Sequence, residues 1–312
     1  MTRTTPGGAV SPYDGRTFII VNPAAGQDDP ARQRRRIGGA FASRGATFDL
    51  ETTQSVGHAR ALAREAADYG YRAVCVVGGD GTIAEAASGL AGSDTPLAII
   101  PAGTANQVAL NLGLPRQLEL AVDVAVYGRP QPIDLGRIDD RWFALVAGAG
   151  YDAAVMAAAT RELKARLGFG AYVYAALREA LTAVPRRFRI VADGNELELD
   201  AVTVMIGNVA QLFARWIPMR ISLGPAPASA WNDGLFDVLV LTTRRFPEFA
   251  EAVWRASSGN FAVNKRLLHL QAREITVEAD PPIAVQIDGD PAGMTPMTAH
   301  VVRDALSVLV PM

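Results

Sequence analysis

Cysteine is almost missing from this 312-residue chain. Cys75 stands alone, so a disulfide framework is excluded, which fits a reducing compartment. Histidine is scarce as well. His58, His269 and His300 have no metal-ligand spacing, and solvated or packed imidazole is the expected state of each. No apolar run reaches the roughly 18 residues of a membrane span. The first 15 residues scatter Gly, Pro and Ser, read as a loose tail and lack the apolar block of a signal peptide, so a cytoplasmic protein is expected. Basic excess is absent too: the net charge of −2 argues against a general nucleic-acid binder. No internal repeat or low-complexity tract occurs. What the chain does have is apolar mass, 49% of its residues, enough for a large core and two domains.

One stretch organises the rest, Ala73 to Leu90: AVCVV, then GGDGT, then IAEAASGL. Five apolar, mostly β-branched residues predict a buried strand. Gly78, Gly79 and Gly81 let the backbone turn tightly and approach a ligand. Thr82 and Glu85 have capping-box spacing, which predicts a helix starting there and gives Glu85 a structural role. Strand, glycine turn and helix N-terminus together suit an anion. Asp80 sits in that turn with no P-loop lysine after it. A bare carboxylate repels phosphate, and Mg²⁺ between the two would resolve the conflict. A nucleoside triphosphate site is therefore expected, against the plainer reading of a strand-to-helix turn.

Around this stretch the chain alternates strand and helix. Thr17–Val21 (TFIIV) reads as a strand broken by Asn22-Pro23-Ala24-Ala25-Gly26, and a helix follows from Pro30 to Arg44. Its Arg32, Arg34, Arg35 and Arg36 read as a solvated face, although one arginine reaching a phosphate is an alternative. A strand at 47–51, a helix at 57–69, a strand at 97–100 and a helix from Asn106 to Leu112 complete the pattern. Alternation of this kind predicts a doubly wound parallel sheet with helices on both faces. Ligands in such sheets bind beyond the carboxyl ends of the strands, where loops 22–26, 78–82 and 101–106 would gather. The G-x-G-x-x-G dinucleotide fingerprint is absent from these turns. From Gln131 the texture changes. Strands are expected at 133–136, 142–146, 187–191, 197–206, 235–241, 266–279 and 283–287, with a hairpin turn at Asp193-Gly194-Asn195. Helices are expected at 152–165, 169–182 and 246–257. The whole reads as an antiparallel sandwich or barrel.

With these residues placed, the chain resembles the diacylglycerol kinase catalytic-domain family, in particular the soluble bacterial lipid kinases. The resemblance runs through Asn22-Pro23-x-x-Gly26, Gly78-Gly79-Asp80-Gly81-Thr82-x-x-Glu85, Pro101-x-Gly103-Thr104-x-Asn106, Asp233-Gly234-Leu235-Phe236-Asp237 and Asp288-Gly289-Asp290. It implies a nucleotide domain at 16–132, a β-sandwich lipid-acceptor domain at 133–297, a return of 298–312 to the first domain, and a cleft between them. It further implies ATP at Asn22, Pro23, Ala24, Ala25, Gly26, Thr53, Gly79, Asp80, Gly81, Thr82, Ile83, Ala84, Glu85 and Thr104, with Mg²⁺ held by Asp80. A structural Mg²⁺ or Ca²⁺ is implied at Asp233 with the carbonyls of Ala230 and Leu235; a plain Asn-Asp-Gly turn needs no ion. Asp290 is the implied general base.

The activity implied is ATP-dependent phosphorylation of a diacylglycerol-like or sphingoid-like hydroxyl. Such a substrate lies in a bilayer, so peripheral membrane contact is implied, and a homodimer is compatible. Arg161, Lys164 and Arg166 with Phe169, Tyr172 and Tyr174 would suit a docking edge, or equally an ordinary packed helix pair. Two departures stand out. Asp290 replaces the family's usual glutamate, and a bulky Phe213-Ala214-Arg215-Trp216 stretch follows Gly207-Asn208 where the family has a triple glycine. An acceptor other than diacylglycerol is therefore an alternative. An NAD kinase, which shares the GGDGT turn, and a non-catalytic nucleotide- or lipid-binding homologue are the alternatives.

Overall fold

The computed structural model describes residues 13–25, 29–150, 153–154, 184–209, 211–214, 219–222, 231–242 and 266–312. Gly26, Ala230, Arg215, Trp216, the six residues of the expected docking edge and the expected helix at 246–257 lie outside them, as do those at 152–165 and 169–182 apart from 153–154. The chain divides into two compact units, 1–135 with 304–312, and 136–303.

The first unit is built on parallel strands, β1 (Thr17–Val21), β2 (Phe48–Thr52), β3 (Ala73–Gly78) and β4 (Leu97–Pro101), in the order β2-β1-β3-β4, with β1, β3 and β4 largely buried and β2 half-exposed at the edge. All six residues of β3 are buried, as a strand covered on both faces requires. Helices α1 (Pro30–Ala42), α2 (His58–Asp68), α3 (Asp80–Leu90), α4 (Gln107–Asn111) and α5 (Leu118–Tyr127) join the strands. Helix α5 was not expected from the sequence. Its LELAVDVAVY buries Ala121, Val122, Val124 and Ala125 along one side, and valine there serves packing despite its low helix propensity. Nor are all of the first 15 residues loose, for Tyr13 stacks on Tyr71 with ring centroids 4.6 Å apart.

The second unit pairs its strands antiparallel. The strands are β5 (Arg129–Ile138), which enters from the first unit, β6 (Arg141–Phe143), β7 (Val146–Gly150), β8 (Arg186–Ala192), β9 (Asn195–Ala201), β10 (Thr203–Gly207), β11 (Gln211–Ala214), β12 (Met219–Ser222), β13 (Phe236–Leu241), β14 (Leu267–Ala272), β15 (Glu274–Asp280), β16 (Ala284–Ile287) and β17 (Asp290–Met294). One sheet runs β14-β13-β10-β7-β16-β17, and β15-β8-β9 belong to another; Val204, Ile206 and Val238 of the first share a core with Phe188, Ile190, Ile275 and Val277 of the second. Phe143 and Phe236 stack inside it at 5.4 Å. The long strand β18 (Met297–Val310) opens antiparallel to β15 and ends parallel to β4, through Val308 and Leu97.

Three expected single strands are pairs. The 197–206 run breaks at Val202, where the chain leaves β8 for β7 and β13. The 266–279 run breaks at Arg273 between β14 and β15. The 142–146 run breaks at Ala144-Leu145, because the Asp288 carboxylate accepts the N–H groups of Ala144, Leu145 and Val146 at 2.8, 2.9 and 3.0 Å.

Cys75 is fully buried in β3, and burial pushes its thiol up to about 12. The native protein should therefore resist iodoacetamide at pH 8 and react once unfolded, a difference that mass spectrometry of the alkylated chain reads directly.

Candidate nucleotide site

The loops after β1, β3 and β4 meet at the carboxyl edge of the parallel sheet, and backbone contact joins them. Gly79 and Gly103 approach so closely that a Cβ on Gly103 would lie 2.4 Å from the Gly79 Cα. Ala102 N–H donates to the Gly78 carbonyl at 2.9 Å. A Cβ on Gly78 would in turn lie 2.8 Å from the Thr82 Cβ. Two of the three glycines expected to admit a ligand thus admit other parts of the chain. Gly81 differs, since nothing lies within 4 Å of the Cβ it lacks.

The expected capping box does not form. Helix α3 starts at Asp80, with extended Gly79 as its N-cap and no side-chain cap, so Asp80 is the first helical residue. Thr82 and Glu85 instead reach other segments. The Thr82 hydroxyl accepts from Asn22 Nδ2 at 2.8 Å, while Asn22 Oδ1 accepts the Ala24 N–H at 2.9 Å and closes the Asn-Pro turn. The Glu85 carboxylate accepts the N–H groups of Gly57 and Ala59, at 2.9 and 3.1 Å, and so caps α2. Glycine at that N-cap, with φ of 84°, offers no side chain of its own.

Asp80 performs a parallel task for α4. Its Oδ1 accepts the Val108 N–H at 3.1 Å. Burial pushes its carboxyl up, against the pull of backbone N–H groups from 106 to 108 that favours the charged form. Asn106 closes the 103–106 loop, with Oδ1 on the Gly103 N–H and Nδ2 on the Gly103 carbonyl, both at 2.9 Å, from a left-handed backbone at φ 53°. Sequence reasoning noted Asn106 as a motif member without a role; the signal was its fixed distance from Gly103.

The structure therefore gathers Asn22, Pro23, Ala24, Ala25, Gly79, Asp80, Gly81, Thr82, Ile83 and Ala84 with Gly103 and Thr104 at one sheet edge. Thr53 hangs on β1 through its N–H to the Val21 carbonyl at 2.9 Å. Of the α1 arginines, Arg34 donates to Thr52 Oγ1 at 3.1 Å.

Asp233, Leu235 and Asp290 belong to the second unit. Asp233 Oδ1 accepts the Leu235 N–H at 3.0 Å, an Asx turn complete without an ion. Asp290 stands exposed where β17 leaves a two-residue turn, with Asp288 at φ 48° and Gly289 at φ 89°. Sequence reasoning missed Asn208 as a contributor: buried, it donates Nδ2 to the Ala144 carbonyl at 3.2 Å, beside the Asp288 contacts. It also left the Asp237–His269 contact unread, at 2.8 Å between Oδ1 and Nε2.

Among the described residues no three His, Cys, Asp or Glu side chains form a metal cluster. Asp80 Oδ1 is taken by the Val108 N–H, so a Mg²⁺ there would have this one carboxylate as its protein ligand, with phosphate oxygens and waters completing the shell.

Two glycine variants should separate packing from ligand approach. Gly103→Ala drives a Cβ into the Gly79 backbone and should lower Tm by several degrees, a cost of about 1–3 kcal/mol. Gly81→Ala meets open space in a helix and should stabilise the fold by up to about 0.5–1 kcal/mol, leaving Tm equal or higher, while weakening nucleotide binding in calorimetry.

Comparison with known proteins also finds two parts. Residues 16–138 match the diacylglycerol kinase catalytic domain family, and residues 145–310 match the YegS C-terminal NAD kinase beta sandwich-like domain. A diacylglycerol kinase of Mycobacterium tuberculosis (strain CDC 1551 / Oshkosh) is 32% identical over 95% of this chain and 96% of its own. A diacylglycerol kinase of Bacillus subtilis (strain 168) is 29% identical over 90% and 91%. A crystal structure of a Bacillus anthracis str. Sterne protein, provisionally named a diacylglycerol kinase, superposes with a TM-score of 0.77 at 27% identity, covering 95% of this chain and 97% of that one. The chain belongs to the diacylglycerol kinase catalytic-domain family, in its two-part form with a YegS-type C-terminal β-sandwich domain.

Proposed function

We propose that the protein is an ATP-dependent lipid kinase that moves the γ-phosphate of ATP to a hydroxyl of a diacylglycerol-like or sphingoid-like lipid at a membrane surface. Among the described residues no helix is long and apolar enough to cross a membrane. The observation that carries the reading is the N-terminus of α3. Its N-cap is a glycine without a side chain, and its second residue, Gly81, faces open space. N–H groups in that position favour phosphate, and the helix dipole adds to the attraction. The Asn22-to-Gly26 turn, Thr53 and Thr104 would line the rest of the nucleotide. When bound, Mg²⁺ would neutralise phosphate charge, with Asp80 as its protein ligand. Asp290 would take the proton from the acceptor hydroxyl as its oxygen attacks the γ-phosphorus and ADP leaves. Aspartate is about 1.5 Å shorter than the family's glutamate, and a misplacement of roughly 1 Å can cost about a hundredfold.

Transfer from labelled ATP to diacylglycerol, a sphingoid base and NAD tests the reading, with NAD reporting the kinase alternative. A lipid product is expected. Asp80→Asn keeps an acceptor for Val108 and should still lose transfer, as should Asp290→Asn, whereas Asp290→Glu should keep or raise it. No labelled product from any acceptor, or full activity in Asp80→Asn, overturns the proposal.

A structural divalent ion at Asp233 and the Leu235 carbonyl belongs to the same reading and is supported by the family correspondence. EDTA should then lower Tm in wild type and leave an Asp233→Ala variant unmoved; an equal shift in both removes the ion from that turn.

A further inference from the structure

We infer that Glu85 is a positioning residue, which fixes the 53–57 loop beside the nucleotide site without itself touching the nucleotide. The inference rests on the proposed ATP site. Both Glu85 carboxylate oxygens are directed at α2, one to the Gly57 N–H and one to the Ala59 N–H. Helix α2 cannot provide that cap, because its N-cap is a left-handed glycine. The same two helices are joined again one turn further along α3. There a Cβ on Gly89 would lie 2.4 Å from the Arg60 carbonyl oxygen, so α2 and α3 touch backbone to backbone.

The loop before α2 is fixed from its other side too. Thr53 N–H donates to the Val21 carbonyl of β1, and the Gln54 N–H donates to His58 Nδ1 at 3.1 Å. Loop 53–57 thus hangs between the strand that carries the Asn-Pro turn and the helix that begins with Asp80. It follows β2 at the carboxyl edge of the sheet, as the phosphate turn follows β3. A carboxylate on α2 also gives that N-terminus its counter-charge. Glu85 therefore ties the end of the 53–57 loop and the first turn of α2 to α3, while the Val21 carbonyl holds Thr53 at the loop's other end.

Steady-state kinetics and amide exchange of three chains test this: wild type, Glu85→Gln and Glu85→Ala. In Glu85→Ala the KM for ATP should rise about tenfold, the scale of one lost binding contact, with kcat within about twofold. Glu85→Gln should fall between, since its amide oxygen can accept one of the two N–H groups. It also stands in for the alanine variant if that one fails to fold. Exchange should quicken at Gly57 and Ala59 and stay unchanged at Gly79 to Ile83. A fall in kcat at constant KM would overturn the inference, because Glu85 would then act on the reacting groups. Unchanged exchange at Gly57 and Ala59 overturns it as well, and so does quickened exchange with unaltered KM. A wild type that neither binds nor turns over ATP overturns the proposed function and this inference together. Any of the other results, with an active wild type, overturns this inference alone.

Discussion

The backbone contact between Gly79 and Gly103 sets the geometry of the whole sheet edge. Two strand-to-helix loops can lie this close only where neither carries a Cβ. Once they touch, the first turn of α3 sits beside the first turn of α4, and one carboxylate can serve both. Asp80 does so, beginning α3 and accepting the Val108 N–H of α4. Glu85 extends the arrangement in the other direction, to α2. The two acids of the GGDGTxxE segment thereby tie their helix to a neighbour on each side. Their cost is a partly desolvated carboxyl at Asp80, offset by the backbone donors around it.

The second unit uses the same physical device on a different scaffold. Asp288 binds three consecutive N–H groups at 144–146 that would otherwise be unpaired at a strand break. Asn208 binds the carbonyl of Ala144 from the neighbouring strand. Asp288 is itself the first residue of the tight turn that leads into Asp290. The position of Asp290 is thus set by the bonds of its neighbour Asp288 to 144–146 and not by its own side chain.

Phosphoryl transfer asks a protein mainly for positioning and charge, with little covalent chemistry of its own. The described residues match that demand. Polar side chains in the first unit mostly hold loops: Asn22 on Thr82, Asn106 on Gly103, Asp80 on α4 and Glu85 on α2. The α3 terminus, with a glycine N-cap and open space at Gly81, is left facing outward.

The strands of the first unit could be read from TFIIV, AVCVV and LAII because buried parallel strands are continuous apolar runs. The glycine turns, the antiparallel texture after Gln131 and the family could be read as well, since each rests on local composition or on motifs in order. Helix α5 could not be read, because its valines suggest a strand until one side is seen to be buried. The breaks at Ala144-Leu145, Val202 and Arg273 carry no glycine or proline and arise from changes of hydrogen-bond partner across the sheets. Thr82 and Glu85 show most clearly where sequence stops. Their spacing is that of a capping box, yet Asn22 lies 60 residues from Thr82, and Gly57 and Ala59 lie 28 and 26 residues from Glu85. Spacing along a chain names residues able to cap; only the packing of three helices on one sheet chooses which terminus they cap.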